Sequence, residues 1–219
     1  MKKSTVSLLA VSAIVAVAGI VAVLSGYALP ISDAAQGVFD YGSLLSACCA
    51  SIVLALLYGF VRFDRAHALV LTVVTMHDLV VTYALTALIS IVLPGLAAIP
   101  AVYALPYMLV LAVVFTFAQS LIVLRHARKI ILSTSRREVP YDQAACTAAK
   151  ESRCQRIELT VMALVLMLGI AGFGSLSATL PLVCPLAVAA LVSFYTAGKL
   201  TPALWTAFCE KLNGLKARR

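Results

Sequence analysis

Six separated runs of apolar residues, each close to or beyond the length that crosses a bilayer, constrain this 219-residue chain more than any other feature. A spanning helix needs roughly 20 mostly apolar residues to cover about 30 Å of hydrocarbon at about 1.5 Å per residue. The runs lie at about Thr5 to Ser25, Leu44 to Val61, Ala66 to Leu93, Leu96 to Leu124, Ile157 to Leu176 and Leu180 to Phe208. With 63% hydrophobic residues, 12% charged residues and a mean hydropathy of +1.03, the chain has too little polar surface to clothe a soluble globule. The pattern predicts an all-α membrane protein, a six-transmembrane-helix bundle with the lipid bilayer as its solvent. It argues against nucleic-acid binding, soluble catalysis and disorder together.

The net charge of +8 belongs to topology. Short translocated loops lose Lys and Arg, whereas cytoplasmic segments keep them. Sixteen of the seventeen basic residues fall before the first run (Lys2, Lys3), between the second and third (Arg62, Arg65), between the fourth and fifth (Arg125 to Arg156) or after the sixth (Lys211 to Arg219). The other three connections hold no basic residue and only Asp33 and Asp40. Both termini are therefore predicted cytoplasmic, in a bacterial inner membrane. The competing reading of the first run is a cleaved signal peptide, but its apolar region runs to about 20 residues where 7 to 15 is usual.

The segment from Arg125 to Arg156 is predicted to be a basic cytoplasmic loop. Within it, the stretch that follows Pro140 reads as a short amphipathic helix facing anionic headgroups or a docking partner. The six Cys residues show no ligand spacing, and there is no phosphate loop, dinucleotide glycine pattern or nucleophile elbow. No catalytic residue, metal or cofactor is predicted, and the chain does not read as an enzyme.

A charged group at the bilayer centre costs about 2.5–3.5 kcal/mol on insertion scales, so the ionisable residues inside the runs are the candidates for function. Asp78 is the central one, about 18 Å into the third run by helical rise. Thr72, Thr75, Asp78, Thr82, Thr86 and Ser90 recur at steps of three or four and share one helical face. The functional reading makes Asp78 a proton acceptor helped by His77 and flanked by Thr75 and Thr82. The structural reading makes it a hydrogen-bonded clamp between helices. Gln119 in the fourth run can hydrogen-bond but carries no charge, and Lys199, in a smaller stripe with Ser193 and Thr196, is expected to snorkel to the cytoplasmic interface.

These marks together resemble the SecF subunit of the bacterial SecD/SecF protein-export complex. Ile31-Ser32-Asp33-Ala34-Ala35-Gln36-Gly37 is similar to that family's Gly-Ile-Asp-Phe-Thr-Gly-Gly element, and Val61-Arg62-Phe63 to the end of its second span. Met76-His77-Asp78-Leu79-Val80-Val81-Thr82 resembles its His-Asp element in the third span. Leu121 to Arg128 resembles the exit from its fourth. Ser193-Phe194-Tyr195-Thr196 with Thr201-Pro202-Ala203-Leu204 resembles elements of its sixth. The resemblance implies half of a resistance-nodulation-division (RND) type bundle, paired with a SecD-like membrane subunit and working with the Sec translocon.

Three departures narrow what the resemblance implies. About 18 residues separate the first two runs, where the family places a domain outside the membrane. Its Asn-Asp pair in the fourth span, whose acid is implicated in proton conduction, is matched by Ala118 and Gln119. The family's Ser-Arg-Thr element appears as Cys154-Gln155-Arg156, with the Arg displaced by one position. The expected function is thus SecF-like support of protein export, largely by packing and scaffolding. The alternative is a stand-alone small RND-type transporter acting as a homodimer.

Overall fold

The structure is a computed structural model that describes residues 3–24, 41–92, 104–133, 140–173 and 176–216. Among the described residues it is all-helical. The helices are α1 (Lys3–Leu24), α2 (Tyr41–Arg62), α3 (Arg65–Val92), α4 (Ala104–Ser133), α5 (Tyr141–Glu151), α6 (Arg153–Phe173) and α7 (Leu176–Lys216). Runs of Ala, Leu and Val with few breakers favour this outcome, because each backbone group finds its partner within its own helix. Pro106 is tolerated in the first turn of α4, where its missing N–H has no helical partner in any case. Pro202 lies inside α7 and cannot donate to the carbonyl of Gly198.

Helices α3, α4 and α7 pack against one another at the centre. Helices α1 and α2 flank α3, α6 flanks α7, and α5 lies across α4 and α7 at one end. The principal core gathers Val70, Leu71 and Val74 of α3, Leu121, Leu124 and Ala127 of α4, Ala144, Ala145 and Ala148 of α5, and Leu200 and Trp205 of α7. Small residues set the closest approaches. A side chain at Gly19 of α1 would collide with Ala84 of α3, and one at Gly59 of α2 would stand 3.0 Å from the Ala68 backbone. An aromatic chain closes the α5 end. Phe63 stacks on His67 at 5.6 Å between ring centres, His67 meets Trp205 at 5.7 Å, and Trp205 meets Tyr141 edge-on at 5.9 Å.

Two segments, Arg65–Ile89 and Val183–Lys211, are long and apolar enough to cross a membrane. That is fewer than the six spans expected from the sequence, and only the described residues enter the comparison. The basic segment is also less of a loop than expected. Helix α4 continues through Ser133 and carries Arg125, Arg128 and Lys129, while α6 already begins at Arg153. Helix α5 turns Ala144, Ala145 and Ala148 inward and Asp142, Gln143 and Lys150 outward, so its apolar face is spent on α4 and α7. The buried Ser152 joins α5 to α6: its N–H donates to Ala148, and its carbonyl accepts from Arg156.

The outer faces run against the pattern of a water-soluble chain. Val11, Ile14, Val17 and Val21 of α1, Leu54, Leu57 and Val61 of α2, and Met162, Leu166 and Leu168 of α6 are exposed. Monomeric soluble proteins rarely leave contiguous apolar faces of this kind uncovered.

Candidate functional site

The α3 stripe is buried where its periodicity puts it. Thr75, Asp78, Thr82 and Thr86 are all inside, and Thr72 is half-buried. The side chain of Ser90 lies outside the described residues. Asp78, 1% exposed, sits where α3 meets α4 and α7. Its Oδ2 accepts from Thr116 Oγ1 of α4 at 2.9 Å and from Thr196 Oγ1 of α7 at 2.7 Å. Its Oδ1 lies 2.9 Å from Nδ1 of His77. The carboxylate thereby fills three of its roughly four acceptor positions.

His77 is less buried than this carboxylate, with its side chain 15% exposed. An ionised Asp78 requires the proton of a neutral imidazole to sit on Nδ1, which leaves Nε2 as an acceptor. That Nε2 is buried and has no hydrogen-bond partner among the described residues. The hydroxyls of Thr75 and Thr82, three residues before and four after Asp78, are likewise buried and unpartnered. Unused hydrogen-bonding capacity of this kind is rare in folded interiors and gathers at functional positions. The site can therefore hold a carboxylate in place and pass a proton between two adjacent groups.

Gln119 and Asp78 do not share a network. The Gln119 side chain, fully buried, turns to α6, where Nε2 donates to Thr160 Oγ1 at 2.9 Å and to the carbonyl of Arg156 at 3.3 Å. Thr116, one turn before Gln119 on α4, is the side chain that reaches Asp78. Lys199 is exposed and stands apart from Asp78, whereas its stripe-mates Ser193 and Thr196 are buried. A long hydrogen bond between Ser120 Oγ and Thr201 Oγ1, 3.2 Å, ties α4 to α7 one turn further on.

Arg156, counted in the basic cytoplasmic segment by the sequence, is instead a buried charge. It is 4% exposed, and its guanidinium donates to the carbonyls of Phe194 in α7 and Ala149 in α5, each at 3.0 Å. The ring of Phe194 lies 5.1 Å beneath it, a cation–π contact. Gly198 makes room: a Cβ there would stand 2.8 Å from an Arg156 nitrogen. The sequence offered a displaced match to the Arg of the Ser-Arg-Thr element and a basic residue just before an apolar run, and the second pattern usually means a solvated helix end.

Among the described residues, no group of three His, Cys, Asp or Glu side chains is placed to hold a metal ion, and Cys49, Cys146, Cys154, Cys184 and Cys209 are free. No family model, curated protein or solved structure matches this chain.

Proposed function

We propose that this chain is a SecF-like multi-pass subunit of a bacterial cytoplasmic membrane, built from six spans with both termini cytoplasmic, that supports protein export through the Sec translocase beside a SecD-like partner. The observation that carries the reading is the His77–Asp78 pair on α3, whose buried Asp78 carboxylate is held from α4 and α7 by Thr116 and Thr196. An intramembrane acid with named partners at the crossing of three helices is what a proton-responsive membrane subunit requires. The exposed apolar faces of α1, α2 and α6 suit lipid or a partner's helices. In this reading α1 to α4, α6 and α7 are the spans, and α5 is a cytoplasmic brace across the ends of α4 and α7.

Gln119 supports a scaffolding emphasis. It stands where the resembling family has an acid, and its bonds to α6 are those of a structural link. Any proton traffic is then confined to His77 and Asp78. The test is purification from native membranes in mild detergent. Recovery with a SecD-like chain and translocon subunits is the expected result, and a homogeneous homodimer would replace the proposal with the small-transporter alternative.

A further inference from the structure

Four cations converge in one open groove of about 720 Å³ at the end of α2 and α4. Arg62 is the last residue of α2, and Arg125, Arg128 and Lys129 lie on the final turns of α4. Positions 125, 128, 129 and 132 follow the three-and-four spacing of a single helical face, so α4 presents them together. Phe63 and Leu132 supply apolar wall between the charges. The four basic side chains are exposed, and no carboxylate lines the groove among the described residues. Like charges held this close repel one another and concentrate anions at the surface they share.

We infer that this groove is a binding site for the phosphate headgroup of an anionic phospholipid of the cytoplasmic leaflet. The inference rests on the membrane reading above and specifies one site on that membrane face. Charge complementarity alone would suit any phosphate, but the surroundings select a lipid. The exposed stripe of Leu54, Leu57 and Val61 runs along α2 and ends at Arg62, with Val61 88% exposed. An acyl chain lying on that stripe brings its headgroup to the groove. Basic pockets between helices on the cytoplasmic side hold phosphate headgroups by this combination of charge and apolar wall. The groove also joins α2 to α4, so an occupant bridges two helices that otherwise meet through rings such as Tyr58 and Phe117, 5.5 Å apart.

The test is native mass spectrometry of the full chain in mild detergent with added phosphatidylglycerol, phosphatidylcholine or inorganic phosphate. Each basic residue near an anionic lipid surface contributes about fivefold in affinity. The Arg125→Gln/Arg128→Gln variant is therefore expected to hold phosphatidylglycerol about 25-fold more weakly, and Arg62→Gln/Lys129→Gln should do the same by a separate route should the first pair fail to fold. The Lys150→Gln/Lys211→Gln control, equal in charge change and outside the groove, should bind as the parent does. Equal retention of phosphatidylcholine, an equal loss in the control, or displacement of lipid by inorganic phosphate at matched concentration would overturn the site. A chain that stays soluble without detergent would overturn the membrane reading itself and the site with it, which separates the two failures.

Discussion

Asp78→Asn separates the two roles that the central carboxylate can play. The amide is nearly isosteric and, with its oxygen in the Oδ2 position, still accepts from Thr116 and Thr196. Its NH2 then faces His77 Nδ1, which becomes an acceptor once the ring proton moves to Nε2. All three bonds survive in neutral form. Each falls from about 1.5–3 kcal/mol for a charged acceptor to about 0.5–1.5 kcal/mol. Against that loss, the buried charge is gone, which returns about 2.5–3.5 kcal/mol in a bilayer. The two sides nearly cancel, so the expected change in stability is within about 2 kcal/mol.

Asp78→Ala behaves differently. Thr196 can turn to the carbonyl of Val192, 3.0 Å away, but Thr116 and the half-buried His77 lose the partner they have. Two orphaned groups cost about 1–3 kcal/mol each, before any cavity is counted. At about 2–4 °C per kcal/mol for a chain of this size, the thermal midpoint in detergent should fall by at least about 5 °C in Asp78→Ala and stay near the parent in Asp78→Asn. If Asp78 relays protons in the proposed export role, export of a signal-bearing reporter should fall in both, because neither side chain takes up and releases a proton. A stable Asp78→Asn protein with full export refutes the relay role, and an Asp78→Asn protein as unstable as Asp78→Ala refutes the hydrogen-bond accounting.

Other substitutions test the packing and the second buried charge. Gly19→Val should push α1 off α3 at Ala84, at an overpacking cost of about 1–3 kcal/mol, read as faster proteolysis within α1. Gly198→Leu should expel the Arg156 guanidinium from Phe194 and lower the thermal midpoint, whereas Lys199→Gln, next to it but exposed, should shift stability by less than about 0.5 kcal/mol. Trp205→Ala should cost about 3–5 kcal/mol by emptying the contact with His67 and Tyr141, measurable as early unfolding of the α5 end. Gln119→Glu replaces the amide that donates to the Arg156 carbonyl with a group that repels it when ionised, so a loss of about 1–3 kcal/mol is expected.

The α3 stripe was legible because helical periodicity is local: three-and-four steps of Thr and Asp put those side chains on one face whatever the neighbours are. What α3 would face was not legible. Thr116 and Thr196 lie 38 and 118 residues from Asp78, and nothing in their own surroundings marks them as its donors. Gln119 was placed beside Asp78 as another polar residue within an apolar run, yet one turn of α4 separates the residue that points to α3 from the one that points to α6. Arg156 was hidden for a related reason. Its accommodation comes from two carbonyls, an aromatic face and the missing side chain of Gly198, and none of these is a charge that a sequence displays. The reach of α4 to Ser133 was missed because charge was taken to end the helix, whereas Arg and Lys are good helix formers that end only the apolar stretch.

Helix α7 is where these separate networks meet. Within eight residues it supplies the Phe194 carbonyl and the Gly198 gap to Arg156, the Thr196 hydroxyl to Asp78 and the Thr201 hydroxyl to Ser120. Only one of these links has a ready alternative. Thr196 Oγ1, with a single proton to donate, is 2.7 Å from Asp78 Oδ2 but also 3.0 and 3.2 Å from the Val192 and Ser193 carbonyl oxygens. A protonated Asp78 holds that hydroxyl more weakly, at about 0.5–1.5 instead of about 1.5–3 kcal/mol, and the hydroxyl can then return to its own helix without leaving a polar group unpaired. The Arg156 and Thr201 links have no such exchange among the described residues, so they stay fixed while the Asp78 link changes. A proton arriving at Asp78 through His77 would thus alter the α3–α7 contact at one point and leave the rest of α7 anchored, which confines the response to the turn around Thr196.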